Sequence, residues 1–106
     1  MKELDVRYAN HPDDSKKYTT EELRKHYLIE EVFVKDDISL TYSHQDRIIA
    51  GGAYPVDKEL ILEAGDALRA DYFLQRRELG IINIGGDGIV TLDGKQYVMH
   101  KTDGLY

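Results

Sequence analysis

Four histidines are the first residues whose chemistry could support a metal site or a proton transfer. They are His11, His26, His44 and His100. None shows the His-x-His or His-x-x-x-His spacing that directs two imidazoles to one ion, and no nearby carboxylate completes a ligand set by spacing alone. Tyr42, His44 and Asp46 share one face of a predicted strand, so a site completed by residues from elsewhere stays open. We expect no metal site in this chain, and hydrogen-bonded core or interface histidines instead.

Arg76, Arg77 and Glu78 form the second group of interest, because they fall in a predicted strand. Neighbouring side chains on a strand point to opposite faces, so one of the two arginines must face inward or be covered. A half-buried guanidinium requires a carboxylate partner. The spacing predicts a structural ion pair between Arg76 and Glu78, with an acidic ligand as the alternative partner.

The run Gly85-Gly86-Asp87-Gly88 has the composition of a phosphate-binding loop. Such a loop works by presenting backbone N–H groups at the start of a helix, whereas here it leads into a predicted hairpin. We therefore interpret it as a turn between strands. The chain has no cysteine, which excludes disulfides and cysteine nucleophiles, and no Ser-His-Asp set or isolated carboxylate pair can be picked out. The residues alone indicate no self-sufficient catalytic site.

Length and charge limit the class of protein. The 106 residues suit one domain, and twenty acidic against fourteen basic residues give a formal charge of −6. This balance opposes binding to phosphate backbones, so nucleic acid is not an expected partner. No apolar run approaches the roughly 20 residues of a membrane span, and the first residues lack the apolar stretch of a signal peptide. We expect a soluble protein with no membrane contact and favour the cytoplasm.

The elements that must position these residues are mostly strands. Eight tyrosines and nine glycines without a tryptophan favour strands joined by glycine turns. Period-two alternation predicts a strand over 38–44, and a second over 47–54 includes a Gly51-Gly52 pair that permits a bulge or a close backbone approach. Further strands are predicted over 59–63, 72–77 and 81–84, with a turn after residue 63 that continues as a helical turn to Arg69. This pattern is typical of an all-β sandwich or barrel.

Two local signals are sharper than the rest. Thr19 followed by Glu22 is a capping box, which predicts a short helix over 20–28 after a polar loop over 9–18. Two strand-like runs, 89–92 and 95–99, are joined by Asp93-Gly94, which predicts a hairpin with a type I′ turn.

Three stretches of the chain resemble a known enzyme family. They are Tyr42-Ser43-His44-Gln45-Asp46-Arg47-Ile48-Ile49-Ala50-Gly51-Gly52, then Tyr72-Phe73-Leu74-Gln75-Arg76-Arg77-Glu78-Leu79-Gly80-Ile81-Ile82-Asn83-Ile84-Gly85-Gly86, and the hairpin through residues 90–97. In order and spacing they resemble the N-terminal part of the 5-keto-4-deoxyuronate isomerases, also named 4-deoxy-L-threo-5-hexosulose-uronate ketol-isomerases. The resemblance covers residues from about Leu28 to Tyr106, and residues 1–20 carry little of it.

The resemblance implies a cupin-like β-sandwich of the double-stranded β-helix type, present in part, with one short N-terminal helix. Residues 1–106 would form a single N-terminal domain of an enzyme built from two such halves and assembled as a homo-oligomer, a hexamer in the family. The family interconverts 5-keto-4-deoxyuronate and 3-deoxy-D-glycero-2,5-hexodiulosonate in pectin breakdown, through proton transfer between C1 and C2 by way of an enediol. Its zinc is held by three histidines and a glutamate of the second half, so no cofactor is expected in this chain.

The chain departs from the metal-binding cupin pattern in one place. Glu78 and Gly85 keep the expected separation, but no histidine occurs over 71–74, where the pattern requires them. We expect a degenerate cupin that kept the turn and lost the metal. If this half contacts the anionic sugar acid, Arg47, Arg76 and Arg77 are the candidates, although each is more simply explained as structural.

The chain stops at Gly104-Leu105-Tyr106, within what still has the pattern of β structure. We interpret this as a cut, with activity belonging to the longer enzyme and the 106-residue chain inactive alone. The alternative is a free-standing, metal-free cupin module that serves assembly or sugar-acid binding. A cut sandwich leaves apolar surface uncovered, so we also expect self-association.

Overall fold

The computed structural model describes residues 1 and 3–106. Strands dominate, as the composition predicts, and helices are few. The described chain divides into two compact units, the first Met1–Phe73 and the second Leu74–Tyr106. The single domain expected from length stays a prediction. None of the helices over residues 1 and 3–106 has the length and apolar character needed to cross a membrane.

Both helices and three of the strands belong to the first unit. Its elements in order are β1 Asp5–Arg7, α1 Pro12–Ser15, α2 Thr20–Tyr27, β2 Ile38–Ser43, β3 Ile48–Ala53 and a 3-10 turn Asp66–Leu68. The strands form one sheet in the order β1-β2-β3, with β1 parallel and β3 antiparallel to β2. The buried residues of this unit are Ile38, Thr41, Ala64, Leu68 and Phe73.

The second unit consists of two small antiparallel sheets. Its strands are β4 Ile81–Ile82, β5 Gly88–Leu92, β6 Lys95–Met99 and β7 Gly104–Leu105. β4 pairs with β7, and β5 pairs with β6. Asp93 and Gly94 have φ of 50° and 81°, the two positive values that a type I′ turn requires. The predicted hairpin is confirmed.

The predicted helix is also confirmed. α2 begins with the expected capping box, in which the Glu22 backbone N–H donates to Thr19 Oγ1 at 3.2 Å and Glu22 Oε1 accepts from the Thr19 backbone N–H at 3.1 Å. These two bonds satisfy backbone donors that the first turn otherwise leaves unpaired. The polar loop before it contains the one-turn helix α1, which is too short to have a sequence period.

The glycine pair of β3 lies against its neighbours, as predicted. A Cβ added at Gly51 would lie 2.0 Å from the Ser39 carbonyl oxygen, and one added at Gly52 would lie 2.6 Å from the Phe33 ring. Neither distance leaves room for a side chain, so β3 approaches β2 and the residues before it through bare backbone.

Two predicted strands are wrong. Over 59–63 the expected alternation is present, since Leu60 and Leu62 are half-buried between exposed neighbours, but no partner strand forms a ladder with this segment in the described residues. Over 72–77 the chain follows bends and turns instead of a strand. A strand requires a partner as well as a pattern, and the partner is not visible in local sequence.

The strands described here form one three-stranded and two two-stranded sheets. They agree with an all-β class. The finer expectation of a cupin-like sandwich stays a prediction.

Candidate functional site

A cleft of about 410 Å³ lies beside α2, β1 and β2 in the first unit. Its cationic lining comes from Arg7 of β1 and from Arg24 and Lys25 of α2. Four carboxylates also line it, those of Glu3, Asp5, Glu30 and Glu31. Among the residues that the structure describes, the acidic side chains of the lining therefore outnumber the basic ones.

Arg7 is largely covered and fully engaged. Its side chain is 17% exposed, its Nη2 lies 3.0 Å from Asp5 Oδ2, and its Nη1 donates to the Leu28 carbonyl oxygen. The guanidinium thus ties β1 to the segment that follows α2. Its planar fork, which presents several N–H donors in fixed directions, suits this double role.

Arg24 is matched in the same way, because its Nη1 lies 2.9 Å from Glu30 Oε1. Of the three cationic side chains that the structure describes in the cleft, two therefore have carboxylate partners within the protein. An anionic sugar would have to compete with those partners and with the excess of negative charge. The charges described in the cleft therefore do not favour a sugar acid.

His44 lies at the end of β2 between two tyrosine rings. Its ring centroid is 4.7 Å from that of Tyr8 and 4.7 Å from that of Tyr42. His44 Nδ1 is 3.0 Å from the Arg7 carbonyl oxygen, and its backbone N–H donates to the same oxygen at 2.8 Å. A carbonyl can only accept, so Nδ1 carries a proton and donates it to this oxygen.

Of the three residues predicted to share one strand face, Tyr42 and His44 are in contact, whereas Asp46 does not lie on the strand. β2 ends at Ser43, and Asp46 lies in the following turn with φ of 64°. Over residues 1 and 3–106 no three side chains from His, Cys, Asp and Glu converge as metal ligands. The residues present therefore do not fit the zinc that the family resemblance implies.

The three candidate arginines occupy different settings. Arg47 is exposed in the turn between β2 and β3, with φ of 52°. In the second unit Arg76 is exposed and lies in the turn that replaces the predicted strand, and Arg77, directly after that turn, is half-buried. Their role in substrate binding stays a prediction.

The ion pair predicted between Arg76 and Glu78 stays a prediction, since the structure shows Arg76 exposed and Glu78 in contact with a different residue. The prediction depended on a strand that would place the two on one face, and that strand is absent. Glu78 instead faces Tyr106. Its carboxylate hydrogen-bonds the phenol, which together with desolvation raises the pKa of Tyr106.

The glycine run is a turn held by Asn83, as expected for a connection between strands. Asn83 Nδ2 donates to the Gly86 carbonyl at 2.8 Å and to the Met99 carbonyl at 3.0 Å, while its Oδ1 accepts from the Gly85 N–H at 3.0 Å. The side chain thus satisfies backbone groups on both sides of the turn. The strand β5 begins at Gly88, the last residue of the run, where a phosphate loop would require the start of a helix.

His100 holds the far side of the same turn. Its Nδ1 lies 3.0 Å from Asp87 Oδ1, and its backbone N–H donates to Asp103 Oδ2 at 2.7 Å. The hydrogen bond and charge of Asp87 raise the pKa of His100, and the charge of Asp103 adds to the shift. Both partners of the ion pair are exposed, so this contact is a weak one.

Sequence reasoning missed Asp36, whose carboxylate organises the loop after β3. Asp36 Oδ1 accepts from the backbone N–H groups of Val56, Asp57 and Lys58 at 2.8, 2.7 and 3.3 Å. These bonds lower the pKa of Asp36. The residue has φ of 56°, a conformation that Asp and Asn tolerate. A polar residue of this type before a strand is the only signal, and many residues share it.

Asp36→Asn is expected to lower the melting temperature at pH 7 by a few degrees, because a neutral oxygen accepts these three bonds more weakly. The folded pKa lies below the unfolded one of about 3.9. The contribution of the ionised carboxylate is therefore present above that pH and lost as the pH falls through the folded value. Thermal unfolding of both proteins between pH 7 and pH 3 should show that the difference between their melting temperatures narrows as the pH falls. Glu59→Gln, at an exposed carboxylate, is the control, and a constant difference would contradict the argument.

The chain is similar in sequence to a set of enzymes that share one name. It is 55% identical over 103 residues to a 4-deoxy-L-threo-5-hexosulose-uronate ketol-isomerase of Lachnoclostridium phytofermentans, a match that covers 97% of this chain and 37% of the relative. Proteins of the same name match from Bacillus pumilus, at 50% identity, and from Bacillus subtilis, at 47%, each over 97% of this chain and 38% of the relative. No protein-family model matches the chain.

These relatives are similar to both units, since the match spans nearly the whole chain. The chain spans little more than a third of their length. Identity at this level over a hundred residues indicates common descent and a shared local structure.

Proposed function

We propose that this chain, which is homologous over 97% of its length to the 4-deoxy-L-threo-5-hexosulose-uronate ketol-isomerases, forms the N-terminal part of an enzyme with that activity. The reaction would be an aldose–ketose isomerisation of a keto-uronate, in the pathway of pectin breakdown. The observation that carries the proposal is the identity of 47–55% with these ketol-isomerases across both units.

The role proposed for the described residues is structural. Arg7, Asn83 and Asp36 each use one side chain to hold groups of the surrounding chain in place, and none of them is free to move a proton. Arg47, Arg76 and Arg77 remain candidates for contact with the substrate carboxylate, which a guanidinium recognises in a paired geometry. Any zinc of the enzyme would be held by residues outside those described here.

The proposal includes assembly and location. We propose that the longer enzyme is a homo-oligomer, a hexamer as the family resemblance implies, and that it acts in the cytoplasm. The remainder of the same enzyme would be the principal partner of this chain, and a sugar acid its substrate. A cupin-like sandwich completed by that remainder would explain why small sheets with open edges occur here.

A chimaera tests the proposal. The segment of the Bacillus subtilis relative that matches this chain is replaced by residues 1–106, and ketol-isomerase activity is measured on the keto-uronate. Because the segments are 47% identical, we expect turnover within about tenfold of the parent, a cost of no more than about 1.4 kcal/mol in barrier height.

The matched control is the same chimaera carrying Gly51→Ala, which should lose activity with the fold of the segment. A chimaera that folds with the unaltered chain and shows no turnover would contradict the proposed function. It would favour a free-standing, metal-free module for assembly or sugar-acid binding.

A further inference from the structure

One face of the β5–β6 hairpin is apolar and exposed. Ile89 and Val98 are directly opposite each other across the hairpin and are 60% and 62% exposed. The next pair on this face, towards the turn, is Thr91 with Gln96, because side chains two apart on a strand share a face. The apolar pair thus lies at the end of the hairpin away from its turn.

At the same end, the opposite face of the hairpin carries side chains that are already covered. Met99 is 4% exposed, and Val90 and Tyr97 are half-buried. Both faces of β5 and β6 are therefore apolar at the same end. A strand with one solvent face alternates between apolar and polar residues, whereas a strand covered on both faces does not. This pattern indicates a hairpin that is covered on both faces.

The second unit lacks the means to cover that face itself. Of residues 74–106, all of which the structure describes, only Met99 is buried. Its two sheets have two strands each, and an isolated two-stranded hairpin is marginally stable in water. Ile82, Ile84 and Tyr106 of the same unit are also exposed, at 74%, 61% and 87%. An external apolar partner would stabilise such a unit by burying this exposed apolar surface.

We propose that the Ile89–Val98 face of the hairpin is the docking surface for the part of a longer ketol-isomerase that residues 1–106 do not span. That this surface binds the remainder of the enzyme, and not another protein, rests on the proposed function and on the length of the relatives. The relatives match 97% of this chain but only 37–38% of their own residues, so nearly two thirds of such an enzyme lies outside it. An apolar surface of that remainder, with strands able to extend the hairpin at its open edges, is the partner that fits.

Thiol labelling tests the proposal, since the chain has no cysteine of its own. Val98→Cys is placed in the isolated chain and in the Bacillus subtilis chimaera, and the rate of alkylation by N-ethylmaleimide is followed on the labelled peptide by mass spectrometry. Submicromolar protein keeps self-association low. We expect Cys at 98 to react at least about tenfold more slowly in the chimaera. Glu21→Cys, on the exposed surface of α2, is the control and should react at similar rates in both. Ile89→Cys repeats the comparison from the opposite strand.

The outcomes separate this proposal from the proposed function. Equal rates at 98 in an active chimaera overturn the docking surface and leave the function standing. Slow labelling in a folded but inactive chimaera supports the surface and contradicts the function. Protection already present in the isolated chain, or protection in the chimaera that dilution abolishes, would assign the cover to this chain or to a second copy and overturn the proposal. A chimaera that fails to fold with the unaltered chain counts against both.

Discussion

Replacing Gly51 by alanine is expected to destabilise the first unit strongly. The added Cβ would lie 2.0 Å from the Ser39 carbonyl oxygen and 2.8 Å from Leu40 Cα, and both are backbone atoms of the paired strand β2. Neither can move without breaking the ladder that runs from Ile38↔Ala53 to Ser43↔Ile48. Overpacking of this kind costs about 3 kcal/mol or more, a large share of the roughly 5–15 kcal/mol that holds a domain of ordinary stability.

Urea denaturation followed by circular dichroism measures the effect. Gly88→Ala is the matched control, because Gly88 also lies in a strand and a Cβ there meets nothing within 4 Å. Alanine at that position should be neutral or slightly stabilising, since it restricts the unfolded chain. A Gly51→Ala protein with an unchanged midpoint would show that β2 and β3 do not approach as closely as described.

The sequence allowed prediction of those features that are decided over a few residues. The capping box at Thr19 and the Asp93-Gly94 turn each involve contacts within four positions, so their geometry follows from residue type alone. The close approach at Gly51 was also predictable, because a glycine inside a strand commonly marks a bulge or a place where another backbone comes near. Local rules were sufficient wherever the residue type itself carried the constraint.

Predictions that depended on a distant partner were less successful. β1 is parallel to β2, and its Arg7 carbonyl receives the hydrogen bonds of His44 from 37 positions away. The sequence of a three-residue strand does not predict which distant strand it will pair with. The segment over 59–63 shows the converse, an alternation that finds no ladder partner among the described residues. The strand predicted around Arg76 is wrong for the same reason, and the predicted pairing with Glu78 has lost that basis and stays a prediction.

The isolated 106-residue chain is expected to show no ketol-isomerase turnover, with or without added zinc. In the described part of the chain His11, His26, His44 and His100 do not join other donors in any group of three. A zinc site that polarises a substrate oxygen needs at least three protein ligands and an open position. Among the cationic side chains described in the cleft of the first unit, Arg7 and Arg24 are already paired with carboxylates.

The measurement is conversion of the keto-uronate by the pure chain at increasing zinc concentration, with zinc affinity determined in parallel by competition with a chromogenic chelator. For the pure chain, we expect conversion and zinc binding to stay at the level of a buffer control. The chimaera with the Bacillus subtilis relative should convert the keto-uronate under the same conditions. The chain and the chimaera have to be measured side by side, because inactivity of the chain alone would also be expected of a damaged preparation. Turnover by the pure chain that rises with zinc would show that these residues hold a complete site. It would contradict the proposal that the zinc site lies in the remainder of the enzyme.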